Sequence, residues 1–117
     1  MSIQAIVESY YNGICDIYEY QEMKNPKTHI VTSELVKVHE GIKCRLLFKS
    51  FPEAKDGVIN GIKQQVKLLI TPSLSIKEGS YFEVIQNGVL ERYQNSGKAA
   101  IYTYHQEINL IAVDRFV

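Results

Sequence analysis

The sequence predicts a mostly β fold: a small antiparallel barrel or sandwich with one short N-terminal helix and a long loop. Three observations carry this. In 42–48 the even positions are Ile42, Cys44, Leu46 and Phe48, while Lys43 and Arg45 lie between them, the pattern of a strand with one buried face. In 81–95 two alternating runs flank Asn87-Gly88, a pair suited to a type I′ hairpin because both residues tolerate positive φ. A third run follows the Asn95-Ser96-Gly97-Lys98 turn. In it Tyr102, Tyr104, Ile108, Leu110 and Ala112 share one parity, broken only by Gln106. That reads as one unusually long last strand, paired on both sides and able to close a barrel.

The remaining elements follow in order. In 2–11 the residues Ile3, Ile6, Val7 and Tyr10 have helical spacing, with Ser2 as N-cap and Gly13 as a stop. This predicts a short amphipathic helix that docks on a sheet or on a neighbouring subunit. In 14–23, Ile14, Ile17, Tyr18 and Tyr20 indicate a strand, and Asn25-Pro26 a turn. A long edge or bulged strand is expected over 28–39 from Ile30, Thr32, Val36 and Val38, interrupted by Glu34; Gly41 separates it from 42–48. The segment 50–63 holds Phe51-Pro52, Lys55-Asp56-Gly57 and Asn60-Gly61 and lacks sustained periodicity, so a long loop is expected. Loops of this length are uncommon in compact domains unless they carry function. Val66, Leu68 and Ile70 face inward on a strand over 65–71 that Pro72 ends, and 75–79 turns into Tyr81. The expectation is one helix, about seven strands and a single domain over 1–117.

The totals agree with that size. A chain of 117 residues, 45% hydrophobic and 22% charged, supports one core without metal or disulfide staples. Thirteen basic and thirteen acidic residues cancel, so no long-range positive field draws the whole molecule onto nucleic acid. No apolar run reaches bilayer-spanning length and no secretory signal is visible. Cys15 and Cys44 lie in apolar strands and read as two buried thiols rather than a bridge.

The search for chemistry finds no catalytic, metal or cofactor site. His29, His39 and His105 have no second ligand at metal spacing. His105 and Glu107 share a strand face in a general-base arrangement, with no nucleophile or oxyanion device beside them. No nucleophile elbow or phosphate loop is present. The eight tyrosines read as sheet packing. Lys43, Arg45 and Lys49 share a strand face without an aromatic partner, a weak signal for nucleic acid that gains meaning where identical patches repeat around a ring. The function class that remains is binding or assembly, not enzymatic.

The order of elements then becomes informative: a short helix, CDIYEYQE, GIKCRLLFKS, a loop, and VKLLITPSLSIKEGSYFEVIQNGVLERYQNSGKAAIYTYHQEINLIAV. It resembles the small minor capsid and head-closure (stopper) proteins of tailed phages of Gram-positive bacteria. The pattern L-I-T-P-x-L-x-I-x-x-G-x-x-F-x-V, followed by H-Q-E-I-N-L, carries most of the likeness, which spans nearly the whole chain. The resemblance implies a β-barrel protomer of a virion ring, a dodecamer, between the portal-side adaptor and the tail proteins. Such a protein resides in the host bacterial cytoplasm before assembly and has no membrane association or cofactor. It implies a loop that projects toward packaged DNA, matched here by Phe51, Pro52, Lys55, Asp56, Gly57, Asn60, Gly61 and Lys63. It implies docking termini, matched by Ile3, Ile6, Val7, Tyr10, Arg115 and Phe116. Lys55 and Lys63 are the only basic residues of that loop, so it lacks the basic cluster of a DNA grip and leaves a steric plug as an alternative. The competing readings are a tail-completion protein and a small barrel that binds single-stranded nucleic acid.

Overall fold

The computed structural model describes the backbone of residues 2–55 and 58–114 and the side chains of 2–49 and 65–114. Helix α1 (Ile3–Ser9) precedes seven strands: β1 (Gly13–Lys24), β2 (Val31–Lys55), β3 (Val58–Ile70), β4 (Tyr81–Gln86), β5 (Val89–Asn95), β6 (Ala100–Ile101) and β7 (Gln106–Ala112). The mostly β fold with one short helix is as the sequence predicts.

All pairings are antiparallel. β2 lies between β3 and β1, β1 pairs onward with β4, β4 with β5, and β5 with β7. β7 then returns to β3, Val66 opposite Leu110 and Ile70 opposite Gln106. Hydrogen bonds therefore close a ring of six strands, and β6 is an appendage on β7. It is not a clean barrel, because two hairpins run well beyond the ring.

The alternating residues fill its interior. Cys15, Ile17, Cys44, Leu46, Val66, Leu68, Ile70, Phe82, Val84, Tyr93, Ile108 and Leu110 form one buried cluster. Each large apolar side chain sealed there contributes roughly 1.5–3 kcal/mol of burial free energy. Cys15 and Cys44 are both buried and unbridged, as their setting predicts. Asn87 and Gly88 have φ of 55° and 76°, the hairpin turn that their sequence demands.

Three expectations need correction. The first concerns 28–48, which is one strand from Val31 on rather than two. At Gly41 (φ 64°) the chain bulges instead of stopping: Cys15 pairs with Ile42 but Ile17 with His39, and a second shift follows at Tyr18. The Asp16 carboxylate accepts the Gly41 N–H at 2.9 Å and holds the bulge. Twenty-five residues in extended form would measure about 80 Å. The molecule extends 58 × 48 × 28 Å along its principal axes, so β2 reaches across its full span.

The second correction concerns 50–63. Here the backbone is a continuation of the β2–β3 hairpin: Ser50 pairs with Gln64, Phe51 with Lys63, Pro52 with Ile62 and Lys55 with Val58. Proline fits because β2 has a partner on one side only here, so its missing N–H faces the open edge. Asn60-Gly61 marks a bulge between the Glu53–Gly61 and Ala54–Ile59 pairs, not a turn. Asp56 and Gly57 lie outside the described residues.

The third concerns the last strand. The stretch 102–105 is a tight turn, closed by the Tyr102 N–H on the His105 carbonyl at 2.8 Å, and it splits the expected strand into β6 and β7. Tyr102 and Tyr104 are exposed rather than packed. Gln106, the residue that breaks the parity, is buried: its amide donates to the Thr71 and Leu74 carbonyls at 2.8 and 2.7 Å, securing the chain after β3. The expected two-sided pairing holds over β7, which has β3 along one edge and β6 then β5 along the other.

Candidate assembly surfaces

Arm 1 is the free part of the β1–β2 hairpin. β4 accompanies β1 only as far as Tyr18–Tyr81, and β3 accompanies β2 only from Arg45 on. From Glu19–Val36 out to Lys24–Val31, the two strands of arm 1 therefore pair only with each other. Its tip is a built turn. The Asn25 side chain accepts the Lys27 N–H at 2.8 Å, and Asn25 N–H donates to the Ile30 carbonyl at 3.0 Å. His29 sits at φ 60°, an uncommon conformation for a residue with a Cβ. Met23, Ile30 and Val31 all present apolar surface to water.

Arm 2 is the outer β2–β3 hairpin, which departs from the ring where β1 begins. Gly13 marks that point. A Cβ there would lie 3.1 Å from both the Cys44 carbonyl and Gln86 Oε1, so glycine leaves the Gln86 side chain room to cross to β2. Gln86 accepts the Leu46 N–H at 2.8 Å and donates to the Leu46 carbonyl at 3.3 Å, standing in for the absent β1 residue. Beyond Leu46 the edge of β2 on that side has no strand beside it among the described residues.

Between the base of arm 2 and the β4–β5 hairpin lies a cleft of about 410 Å³. Leu46, Phe48, Val66, Val89, Tyr93 and Ala112 give it apolar walls, and Gln86, Asn87 and Glu91 a polar margin. Burial first, then the nearby Glu91 carboxylate, raises the Tyr93 phenol above its ordinary value. On the outer surface a second apolar feature runs across three strands: Ile14 faces Ile85 and Ile85 faces Leu90, each about half exposed. Beside it stands the Asp16–Glu83–Arg92 row. Arg92 reaches Glu83 at 3.6 Å, and the Tyr18 hydroxyl donates to Glu83 at 2.7 Å, which raises the Tyr18 phenol.

The residues expected at docking sites divide. Ile3, Ile6, Val7 and Tyr10 lie on or at the end of α1, where Ser2 caps the helix by accepting the Ala5 N–H at 3.1 Å. No α1 residue is buried, so the helix does not dock on this chain's own core; Gln4 ties it to the Tyr104 carbonyl at 2.8 Å. Phe51, Pro52, Lys55, Asn60, Gly61 and Lys63 follow the paired backbone of arm 2. Arg115 and Phe116 lie outside the described residues. Sequence reasoning missed the cleft, because its walls come from β2, β3, β5, β7 and the β4–β5 turn. The available signal was the aromatic Phe48 at the end of the alternating run Ile42, Cys44, Leu46. His105 and Glu107 do meet, at 3.3 Å, but Glu107 also binds Lys67 at 3.5 Å and Tyr102 stacks on the imidazole at 4.7 Å. Those contacts brace the β6–β7 turn.

No protein-family model matches the chain, and no curated protein matches it. Among solved structures, the phage-like element PBSX protein xkdH from Bacillus subtilis is similar, with TM-score 0.52 and 11% identity over 85% of this chain and 91% of that one. At that identity the likeness is one of fold. Among the described residues no helix is long and apolar enough to cross a membrane.

Proposed function

We propose that this chain is a virion structural protein of a tailed phage or prophage, placed at the head–tail junction. There it joins a ring that closes the DNA-filled head and links it to the tail. The observation that carries the reading is the fold shared, over most of both chains, with a protein of a phage-like element. The shape supports it. The accessible surface is 8062 Å², against about 6,500 Å² for a compact monomer of 13.4 kDa. The radius of gyration is 17.0 Å, against about 13 Å for a globular chain of this length. Surface in excess of folding needs, carried on hairpins with open edges, suits a part that is completed by its neighbours.

In this reading the partners are other copies of the chain in a dodecameric ring, an adaptor on the portal side and tail proteins. Arm 2 takes the role of a segment projecting toward the channel, and the exposed face of Lys43, Arg45 and Lys49 lies along passing DNA without base recognition. The protein does no covalent chemistry. The test is deletion of the gene in its phage, with particles viewed by electron microscopy. Tailless heads that leak DNA are expected, and normal tailed particles overturn the reading. Co-purification with tail-tube protein but not with the adaptor would instead select tail completion.

A further inference from the structure

We propose that copies of this chain associate head to tail, the tip of arm 1 of one copy seating Ile30 and Val31 in the cleft at the base of arm 2 of the next. This deepens the assembly reading above and rests on it for its biological setting. Three observations converge.

The first is that neither partner surface is satisfied within the chain. Ile30 and Val31 are more than half exposed, as are Phe48 and Val89 of the cleft. A two-stranded hairpin with both edges in water is marginal, and a third layer or strand is what stabilises it. The cleft's volume lies within the roughly 300–1,000 Å³ typical of built binding pockets. Its walls are apolar, as aliphatic side chains require.

The second is charge. The tip of arm 1 carries Lys24 and Lys27 on either side of Asn25-Pro26. The cleft margin carries Glu91. Among the described residues none of the three takes part in an ion pair, so each is available to an opposite charge on a neighbour. The tip is basic and the cleft margin acidic, so the two surfaces are complementary in charge.

The third is area. The surface beyond that of a compact monomer is about 1,600 Å². A standard interface takes about 800 Å² from each partner, so the chain has ample surface to meet a neighbour on each of two sides. Because tip and cleft are different patches, the contact is heterologous and propagates to a ring or an open chain rather than stopping at a dimer. The fixed tip limits the ordering cost of docking, since its hydrogen bonds already hold Ile30 in place.

Two surface variants test this, Ile30→Asp in the tip and Val89→Asp in the cleft. Both positions are exposed, so both variants fold. Sedimentation velocity is followed from about 10 μM to about 1 mM protein, the range that reads weak to moderate affinities. The native chain is expected to grow with concentration beyond a dimer, and each variant alone to stay monomeric, at least tenfold weaker in association. A 1:1 mixture of the variants retains one good tip and one good cleft, so it forms dimers and nothing larger. Glu91→Lys weakens association, and combining it with Lys24→Glu and Lys27→Glu restores it. The proposal is overturned if the native chain stays monomeric throughout, if either variant associates like the native chain, or if the mixture forms no dimer. Tailed particles of normal yield built from Ile30→Asp protein also overturn it, while leaving the head–tail reading intact. Concentration-dependent association alongside normal tailed particles after gene deletion does the reverse.

Discussion

In the ring, every strand has a hydrogen-bonded neighbour on both sides, and Ile17, Leu68, Ile70, Phe82, Val84 and Ile108 are sealed from water. In arm 1, two strands pair only with each other, and Met23, Ile30 and Val31 are as apolar as those core residues yet stand in solvent. The strands are the same strands: β1 and β2 pass from one regime to the other through the bulge at Gly41 and remain paired beyond it. What differs is whether other strands curve round to cover the inward face. Ring closure through β7 supplies that cover for the body. Among the described residues arm 1 has such cover only at its base, where Tyr81 meets Tyr20 edge-on and Lys77 donates to the Tyr20 carbonyl, which is why its outer part is a candidate contact surface and the body is the scaffold.

Four measurements sharpen this contrast or break it. The largest effect is expected at the centre of the ring. Phe82→Ala should lose about 3–5 kcal/mol of unfolding free energy in chemical denaturation, through lost burial and a cavity. Met23→Ala on arm 1 should change it by less than about 0.5 kcal/mol. Equal losses would mean that the arm is as tightly packed as the body.

Next comes Gln106→Ala. It leaves the Thr71 and Leu74 carbonyls without their donor in a buried place, at a cost of about 2–3 kcal/mol in the same assay. A neutral outcome would show that the segment after β3 is held by other means.

Gly41→Ala comes third. Nothing lies within 4 Å of the added Cβ, so only the backbone conformation resists it, at about 1–2 kcal/mol. A much larger loss would mean that the bulge couples arm 1 to the ring more tightly than the packing indicates.

The smallest effect near neutrality is a pH dependence. The hydrogen bond with the Cys44 thiol, then burial, hold the Cys15 thiol far above its ordinary 9.0; burial holds Tyr93, and the Glu83 hydrogen bond Tyr18, above their ordinary 10.0. Raised acids favour the protonated native state. Their contribution is complete below the unfolded-state values and is lost as pH rises toward the folded ones. Unfolding free energy should thus be level with respect to these groups at pH 7–8 and fall above about pH 9. Cys15→Ala should flatten the first part of that fall. An unchanged slope would place the responsible group elsewhere.

Much of the body was legible residue by residue. Cys44 and Leu46 alternate with charged neighbours, Val66, Leu68 and Ile70 share a parity, and Asn87-Gly88 turns as its φ values require, so local chemistry and final position coincide. The candidate surfaces were legible only in part. Segment 50–63 was visible as a distinctive region, but Pro52 and Asn60-Gly61 carried the chemistry of breakers. An edge strand accepts both, and whether a strand is an edge is a property of its neighbours. Tyr102 and Tyr104 kept the alternation of a strand because a tight turn braced by Tyr102 stacking on His105 needs neither glycine nor proline to announce it. The cleft was signalled by Phe48 at most, since its walls meet only after β2, β3, β5 and β7 have found their places.

The sequence by itself determined which residues alternate, where the hairpin between β4 and β5 turns and that the chain is mostly β, because pleat parity and positive-φ tolerance are local properties of a few adjacent residues. Tertiary structure alone decided that β2 runs on through Gly41, that β3 is the strand against which β7 closes the ring, and that arm 1 emerges with Met23, Ile30 and Val31 uncovered. Burial is a relation between segments distant along the chain. An alternating run reads the same whether or not a third strand arrives to cover it.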